Sequence, residues 1–451
     1  MVPAQSNVTS VAPQNDAALE RPPRRFRQIR WWVCGLLFAS TVINYLDRQS
    51  LALLAPSLKR LFRWDNSDYA DLVIGFRVAY TVGQVLWGRL LDRVGTRKGA
   101  TITVALYSVA SILTPLANGL RSFLSFRCLL GLGESGNWPA ATKAVSEWFP
   151  GRERGLATAF FDSGSSLGGA LAPFLIFWIY AHWGWRPAFV VPGLLGAVWL
   201  LVWRWFYHPP EQHPMISAEE LSMLQGEQRA SGTHQSKERI PLKALLRLKE
   251  TWGAIVARAF TDPVWFFITD WFPIYLVSKG FALRSSLLAV WVPFLAADAG
   301  SYVGGLLSGW LIRWGWSLLP ARKAIVMAGG LGTLCLIPTI FVDNLFAITA
   351  LFGISTFSYS AFSVMANVLP SDLYQPEGVA TVSGLAGTVA GIGTILGYKA
   401  IGYFSDARRA AGIHAFDPVM VVCGLVPFVG ALLVLGLIRP QRSSSNALKS
   451  V

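Results

Sequence analysis

The chain has 451 residues, of which 53% are hydrophobic and 14% are charged, and its mean hydropathy is +0.44. This composition is too apolar for a soluble globular protein and predicts many membrane-spanning segments of about 20 residues. The formal net charge of +14 does not indicate nucleic-acid binding, because the basic residues are spread over short loops rather than along one stripe. The four cysteines have no chelating spacing, so neither a metal site nor a cofactor is expected.

In chain order, the apolar runs predict twelve membrane-spanning helices. Their predicted bounds are 31–54, 69–91, 100–118, 122–145, 155–181, 187–206, 252–277, 286–312, 324–342, 345–369, 378–404 and 418–438. The predicted fold class is therefore an all-α membrane protein.

The polar segments divide the chain into two halves. Residues 1–29 form a basic tail without an evident cleavable signal peptide, 30–206 a first six-helix bundle, 207–250 a charged linker, 251–438 a second six-helix bundle and 439–451 a C-terminal tail. Within the linker, the stretch AEELSMLQGEQ could form a short surface helix. Lys and Arg are more frequent in the segments on the side of the N-terminal tail, so the positive-inside rule predicts that both termini are cytoplasmic.

Two sequence echoes predict an internal repeat. The segment GRLLDRVGTRK, which begins at Gly88, is echoed by GWLIRWG from Gly309, and GLAT from Gly155 is echoed by GVAT from Gly378. Both echoes are displaced by 221 to 223 residues, although small residues can also match by chance. The sequence therefore predicts two pseudo-symmetric six-helix bundles that face each other, with a site between them near the middle of the membrane.

Ionisable side chains occur inside two predicted spans. Asp47 and Arg48 lie in the first, and Arg127 and Glu134 lie in the fourth. Each such group costs about 2.5–3.5 kcal/mol at the centre of a membrane helix on insertion scales, so it rarely persists there without a partner or an aqueous cavity. Arg127 and Glu134 are seven residues apart, about two helical turns, and therefore share a helix face. These residues predict a functional polar interior.

A substrate carboxylate is the expected partner of Arg48. A guanidinium suits this role because its planar fork donates two charge-assisted hydrogen bonds and keeps its proton. Asn44 is four residues from Arg48 and shares its helix face. We expect Asn44 and Tyr80 to contact substrate hydroxyl groups.

Proton coupling requires groups that bind and release protons near neutral pH. Buried carboxylates can do so, and a neighbouring arginine adjusts their affinity for the proton. Asp47 and Glu134 are the expected proton-binding groups, and Arg127 is expected to pair with one or both when they are ionised. A purely structural ion-pair network is the alternative interpretation.

Other polar residues in the predicted spans are weaker candidates. Gln84 faces either the cavity or a neighbouring helix, and Asn367 binds either a sugar hydroxyl or another helix. The repeat offset places Asp270 opposite Arg48, which favours a substrate-binding role for Asp270. A second acidic cluster could comprise Asp162, Asp262, Asp270 and Asp298.

The simplest interpretation of several charged and aromatic residues is structural. Asp262 precedes Pro263 and is expected to cap or pack its helix. Lys143 and Lys399 are expected to extend along their helices to reach water. A few tryptophans are weaker candidates for stacking on a sugar ring, namely Trp87, Trp138 and Trp265.

The segment GRLLDRVGTRK, between predicted helices two and three, resembles the loop signature of the major facilitator superfamily. By this resemblance, Asp92 helps to latch the cytoplasmic gate in the outward-facing state, and the matching gating residues are Gly88, Asp92, Arg93, Gly95 and Arg97. A mere concentration of positive charge that fixes membrane topology is the alternative interpretation.

Several further segments resemble the anion:cation symporter family, most closely its bacterial hexuronate-transporter branch: INYLDRQSL, FRVAYTVGQVLWGRLLDRVGTRKG, RCLLGLGESGNWPAATKAVSEWFPGRERGLA, TDPVWFF, PFLAADAGSYVGG and ANVLPSD. The resemblance implies transport of a sugar-acid anion with protons. The residues that match the functional positions of the family are Asp47, Arg48, Tyr80, Arg127 and Glu134.

The second half of the chain departs from this branch. The tenth helix has Ala361-Phe-Ser-Val364 where His-Gln-x-Trp is expected. In the seventh helix, Asp270 stands where the branch usually has an apolar residue, and Ile274 stands where it usually has a Lys. Asp162 stands in place of an Asn, and a lysine at position 399 is not expected. These differences put the identity of the sugar in question more than the class of protein.

The sequence thus predicts a proton-coupled symporter that moves a monovalent hexuronate or aldonate by alternating access across a bacterial inner membrane. Its expected partners are a small organic anion, protons and the lipid bilayer, and a monomer is expected. A facilitator without proton coupling, a symporter for another small carboxylate, and a non-transporting receptor are the alternatives. An enzyme is not expected, because nucleotide-binding, metal and triad-like motifs are not found.

Overall fold

The computed structural model describes residues 28–230, 240–281, 287–410 and 416–438. Eight helices form the first half: α1 (Ile29–Phe62), α2 (Asn66–Val94), α3 (Thr96–Leu113), α4 (Leu120–Glu134), α5 (Asn137–Trp148), α6 (Gly151–Asp162), α7 (Gly164–Trp183) and α8 (Pro187–Phe206). The linker contains α9 (Ala218–Ala230), where a short helix is expected from the sequence, and α10 (Leu242–Leu245). The second half contains α11 (Lys249–Ala259), α12 (Asp262–Ser278), α13 (Leu287–Arg313), α14 (Leu318–Thr333), α15 (Leu345–Leu373), α16 (Pro376–Ala410) and α17 (Asp417–Leu437).

These helices combine into the twelve predicted rods, because α4 continues into α5, α6 into α7, and α11 into α12. Three of the predicted continuous spans are therefore broken, at Ser135–Gly136, Ser163 and Phe260–Thr261. Near the first break, a side chain at Gly133 in α4 would meet the backbone of Tyr107 in α3, so these two helices pack closely there. Small residues allow such approaches and the bends that accompany them.

Among the described residues, eight helical rods are apolar and long enough to cross a membrane on composition alone. The other four rods are α2, α4–α5, α11–α12 and α13. Each of these four carries a charged side chain that lines the central cavity: Arg77, Arg127, Arg258 and Asp298, respectively. Such charges lower the hydropathy by which a span is recognised, but they do not decide it alone, because Arg48 in α1 and Asp162 in α6 line the same cavity within rods that are apolar enough.

The two bundles meet along two equivalent helix pairs. Helix α2 packs along α16, and α13 packs along α6, which is the same pairing once the repeat offset of about 222 residues is applied. A side chain at Gly88 in α2 would collide with the backbone oxygen of Ala380 in α16. Likewise, a side chain at Gly305 would lie 2.6 Å from the backbone oxygen of Gly155. These contacts support the predicted pseudo-symmetry.

We call the side of the molecule at which α1 begins and at which α9 and α10 lie the linker side, and the opposite side the far side. Linker helix α9 is held on the first bundle at the linker side. The Glu220 carboxylate accepts hydrogen bonds from the backbone nitrogens of Ile29 and Arg30 at 3.1 and 3.3 Å, and from Arg30 Nη1 at 2.8 Å. An acidic group is favourable at this position because the start of α1 carries unpaired N–H groups and a partial positive charge.

Candidate functional site

A cavity of about 520 Å³ lies between the two bundles. Its lining extends toward the far side at Ala52 in α1, Tyr69 in α2 and Ile395 in α16. The charged residues of the lining are Arg48, Arg77, Arg127, Asp162, Arg258, Asp262 and Asp298. The cavity is large enough for a small polar molecule.

Arg48 and Glu134 form the central ion pair of the first bundle. Arg48 donates from Nε at 3.0 Å and from Nη2 at 2.9 Å to the same oxygen of Glu134, and Nη2 also donates to Asn44 Oδ1 at 3.2 Å. Arg48 lines the cavity, whereas Glu134 and Asn44 are fully buried behind it. A carboxylate that arrives in the cavity would therefore meet an arginine that is already paired.

Arg127 is a cation of this wall that forms no ion pair with any residue that the structure describes. It is 5% exposed, and its Nε and Nη1 atoms have no hydrogen-bond partner in the described structure. The guanidinium carbon lies 4.6 Å from the ring centre of Phe76, and that of Arg48 lies 5.3 Å from the same ring. The expectation is that Arg127 pairs with Asp47, Glu134 or both when they are ionised; in this conformation it interacts electrostatically with both, and Glu134 forms its ion pair with Arg48.

Asp47 is fully buried outside the cavity lining and faces α3 rather than Arg48. It accepts a hydrogen bond from the Ser111 hydroxyl, which is also 2.8 Å from the backbone oxygen of Phe189. The second oxygen of Asp47 has no partner in the described structure. The adjacent residues Asp47 and Arg48 thus point toward different surroundings, as neighbours on a helix do.

Three other expected binding residues line the cavity: Tyr80, Gln84 and Asn367. The Tyr80 ring centre lies 5.0 Å from the guanidinium carbon of Arg48. Gln84 Oε1 and Asn367 Oδ1 are buried without a hydrogen-bond partner in the part of the chain that the structure describes. Asp270 lies within α12, but its side chain falls outside the described residues.

The opposite wall contains a cation that sequence reasoning did not select. Arg258, which is 7% exposed, donates to Asp262 Oδ2 from Nε at 3.2 Å and from Nη2 at 2.8 Å, and its Nη1 atom is unpartnered among described groups. Asp262 is the first residue of α12, where a capping or packing role is expected, and it also lines the cavity, which agrees with the alternative that it belongs to an acidic cluster. The four-residue spacing of Arg258 and Asp262 was a usable signal for this pair.

The linker side of the interface is closed by Asp92. Its carboxylate accepts hydrogen bonds from the Thr381 backbone nitrogen at 2.7 Å, the Thr381 hydroxyl at 2.6 Å and the Ala380 nitrogen at 3.3 Å, all in α16. Lys143 Nζ lies 3.1 Å from Asp92 and also donates to the Pro376 carbonyl. Lys143 is 3% exposed, so the expectation that it reaches water is wrong.

The remaining signature residues surround this contact. Gly88 brings α2 against α16, and Gly95 has a positive φ of 83° between α2 and α3. Arg97 donates to the Arg204 carbonyl within the first bundle, and Arg93 is exposed on the surface. Gly88 and Asp92 are therefore the expected gating residues that bring the second bundle against the first.

The structure contains a second group of contacts between the bundles at the linker side, which the sequence did not predict. Asp372 in α15 pairs with Arg322 at 2.7 Å and with Arg154 of the first bundle at 3.1 Å. Arg154 Nη1 also donates to the Ser371 carbonyl at 2.6 Å, and Arg322 Nη2 to the Gly151 carbonyl at 2.6 Å. Both arginines thus connect the bundles at the linker side, which closes the cavity there.

The comparison with protein families agrees with this architecture. Residues 37–398 match the model described as Major Facilitator Superfamily. The chain belongs to the Major Facilitator Superfamily. It is thus a multi-pass membrane protein of a transporter family and not an enzyme.

Curated relatives within this superfamily confirm the resemblance that the sequence motifs carry. The chain is 30% identical over 415 residues to the hexuronate transporter of Escherichia coli strain K12, and the aligned region covers 91% of this chain and 94% of the relative. It is also 30% identical over 431 residues to the D-galactonate transporter of Escherichia coli O6:H1, with 93% and 96% covered.

Solved structures confirm the superfamily fold. The proton:xylose symporter XylE, bound to 6-bromo-6-deoxy-D-glucose, superposes with a TM-score of 0.71 at 13% identity, covering 91% of this chain and 96% of that one. FucP in the outward conformation superposes with a TM-score of 0.68 at 16% identity, covering 91% and 100%. Two six-helix bundles with twelve transmembrane helices are therefore the fold of this chain.

Proposed function

We propose that this protein is a secondary active transporter that carries a sugar-acid anion together with protons across the bacterial inner membrane by alternating access. In this proposal the linker side is cytoplasmic and both termini are inside the cell. The main support is the buried, unpaired guanidinium of Arg127 beside the Arg48–Glu134 pair, in a cavity between the two bundles. The names of the relatives, which are hexuronate and galactonate transporters, support a sugar acid as substrate.

A substrate carboxylate would bind at Arg127 and compete with Glu134 for Arg48. Planar guanidinium groups favour carboxylates because they donate paired, charge-assisted hydrogen bonds. The hydroxyl groups of the substrate would contact Tyr80, Gln84 and Asn367, whose polar atoms face the cavity or lack partners. Asn44 would support the site indirectly, by orienting Arg48.

Proton coupling follows from the burial of Glu134. If the substrate takes over Arg48, an ionised Glu134 would be left buried without its partner, which is strongly unfavourable. Protonation of Glu134 removes this cost, so substrate and proton bind together. Asp47 provides a second buried carboxyl group whose second oxygen is free to carry a proton.

Alternating access requires that the linker-side contacts open after binding. The contacts of Asp92, Lys143, Arg154 and Arg322 across the interface are hydrogen bonds and ion pairs rather than an interlocked apolar core. Such contacts can be exchanged for water without unfolding either bundle. In this proposal the present conformation is the outward-facing one.

Uptake into proteoliposomes tests the proposal. The purified protein should accumulate labelled galacturonate, glucuronate or gluconate when the outer solution is acidic, and the accumulation should collapse when a protonophore removes the pH gradient. Glu134→Gln should retain binding and exchange but lose accumulation, whereas Glu211→Gln, at an exposed position, should behave as wild type. Accumulation by Glu134→Gln equal to wild type would contradict the proton role, and uptake without any pH dependence would identify a facilitator.

A further inference from the structure

The acidic residues on the opposite side of the cavity are not used by the proposed transport of a simple anion. Asp162 in α6, Asp262 in α12 and Asp298 in α13 all line the cavity. Asp162 interacts electrostatically with both Asp262 and Asp298. We call these three carboxylates the acidic pole. Arg258 is the cation paired with this group, so three carboxylates face one guanidinium.

The contacts of the acidic pole leave much of its capacity to accept hydrogen bonds free. Asp262 is engaged by Arg258, and Asp298 accepts a hydrogen bond from the Ser166 hydroxyl at 2.8 Å. Within the described part of the chain, Asp162 has no ion pair within 4.0 Å and accepts no hydrogen bond. An unpartnered carboxylate is retained at such a position only if water or a ligand satisfies it.

Buried, unpartnered groups beside the acidic pole indicate a ligand rather than bulk water alone. Arg258 Nη1 is buried, has no partner among described groups and lines the cavity next to Asp262. Asn367 Oδ1 is likewise buried and unpartnered in the same lining. The first group can donate to a ligand hydroxyl, and the second can accept from a ligand hydroxyl or ammonium group.

The aromatic residues beside the acidic pole suit a positively charged group. The rings of Trp265 and Tyr359 stack with centres 5.8 Å apart and an interplanar angle of 8°, and both line the cavity. Tyr359 lines the cavity together with Asp262 and Asp162. A combination of carboxylates and aromatic faces is the arrangement that binds ammonium groups, through ion pairs and cation–π contacts.

The acidic pole and the arginine wall belong to one site. Tyr45 lines the cavity together with Arg48 and Asp162, and the Arg48 guanidinium carbon lies 4.8 Å from the Tyr45 ring centre. The cavity therefore presents a cation for a carboxylate and, elsewhere in the same lining, carboxylates for a cation. A small ligand with both charges can engage both ends at once.

We infer that the physiological substrate is a zwitterionic sugar acid, in which the carboxylate is accompanied by a protonated amino group that binds at Asp162 and Asp298. This inference rests on the proposed function, since it assigns the substrate class of the same cavity. Arg127 and Arg48 would bind the carboxylate end. The acidic pole would also repel a second carboxylate, which disfavours dicarboxylic sugar acids.

A matched pair of ligands tests the inference on the wild-type protein. D-Gluconate and 6-amino-6-deoxy-D-gluconate differ only in the group on the sixth carbon, at the end opposite the carboxylate, which is a hydroxyl in one and an ammonium at pH 7 in the other. Binding to the purified full-length protein, measured by isothermal titration, should favour the amino acid by about tenfold or more. Equal binding, or a preference for gluconate, overturns the inference and leaves the proposed transport of sugar acids intact.

Variants of the acidic pole test whether its carboxylates cause the preference for the amino ligand over gluconate. Asp298→Asn and Asp162→Asn should each reduce the ratio of the affinity for the amino ligand to the affinity for gluconate. Asp343→Asn, at an exposed acid of the far side, should keep the preference. A preference that survives both cavity variants overturns the assignment of the acidic pole.

A bound metal ion is the competing use of these carboxylates, and the same preparation distinguishes it. Three results together would indicate a metal site: sodium ions increase gluconate uptake, Asp298→Asn abolishes this increase, and the protein shows no preference for the amino ligand. In that case the acidic pole binds a coupling cation and the inference is overturned. If proteoliposomes transport neither ligand nor any uronate, the proposed function itself fails.

Discussion

At the scale of single residues, Arg127 combines burial with a lack of ion-pair and hydrogen-bond partners among the described residues. A buried cation without an ion pair destabilises the folded state, because its desolvation is not compensated. We therefore expect Arg127→Met to raise the melting temperature of the purified protein while reducing sugar-acid uptake at least about tenfold, since the carboxylate loses its free guanidinium.

Arg121 offers the matched control for this prediction, because it lies on the same helix but is exposed. Arg121→Met should change neither the melting temperature nor uptake appreciably. Wild-type uptake by Arg127→Met would remove Arg127 from the binding site.

Arg48 is expected to be intolerant of a conservative change. It donates from Nε and Nη2 to Glu134 and from Nη2 to Asn44, a geometry that a lysine ammonium cannot reproduce. Arg48→Lys should weaken substrate binding by about tenfold or more, as measured by titration. Unchanged affinity would contradict a paired contact between this guanidinium and the substrate carboxylate.

At the scale of helices, the contact between α2 and α16 depends on glycine. A side chain at Gly384 would collide with the backbone oxygen of Gln84. Gly384→Val should therefore separate the two helices and disfavour the linker-closed conformation. The measurement is the distance between spin labels on Lys98 and Arg313, which are exposed on different bundles at the linker side; this distance should lengthen.

Gly397 provides a control within α16, since a side chain there would meet no atom within 4 Å. Gly397→Val should leave the label distance unchanged. If Gly384→Val also leaves it unchanged, close backbone contact is not what maintains the closure.

At the scale of the whole molecule, Asp372 of the second bundle pairs with Arg154 of the first bundle and with Arg322, which itself contacts the first bundle at the Gly151 carbonyl. Asp372→Asn leaves Arg322 and Arg154 without their buried charge partner, and removal of one member of a buried ion pair costs about 3–5 kcal/mol. We expect this variant to shift the population toward the linker-open conformation, with a longer Lys98–Arg313 label distance. An unchanged distance would show that Asp372 does not stabilise the closed state.

The helical rods could be predicted from the sequence, because the apolar run that marks each rod is local to that rod. The pairing of side chains from different helices could not be predicted in this way. Helical periodicity places Arg127 and Glu134 on one face, but it does not reveal that Arg48 of another helix reaches Glu134 first. Similarly, Lys143 resembles a lysine at the end of a span, since its partner Asp92 comes from a different helix.

The Arg48–Glu134 pair has a consequence for the return half of the cycle. Once cargo has been released inside, Glu134 can surrender its proton and take the vacated place on Arg48, so the empty carrier supplies its own counter-ion. Reorientation without cargo then needs no exchange for an internal solute. We expect vesicles that contain buffer alone to fill nearly as fast as vesicles preloaded with unlabelled sugar acid, and strong acceleration by preloading would show that the pair does not serve the return step.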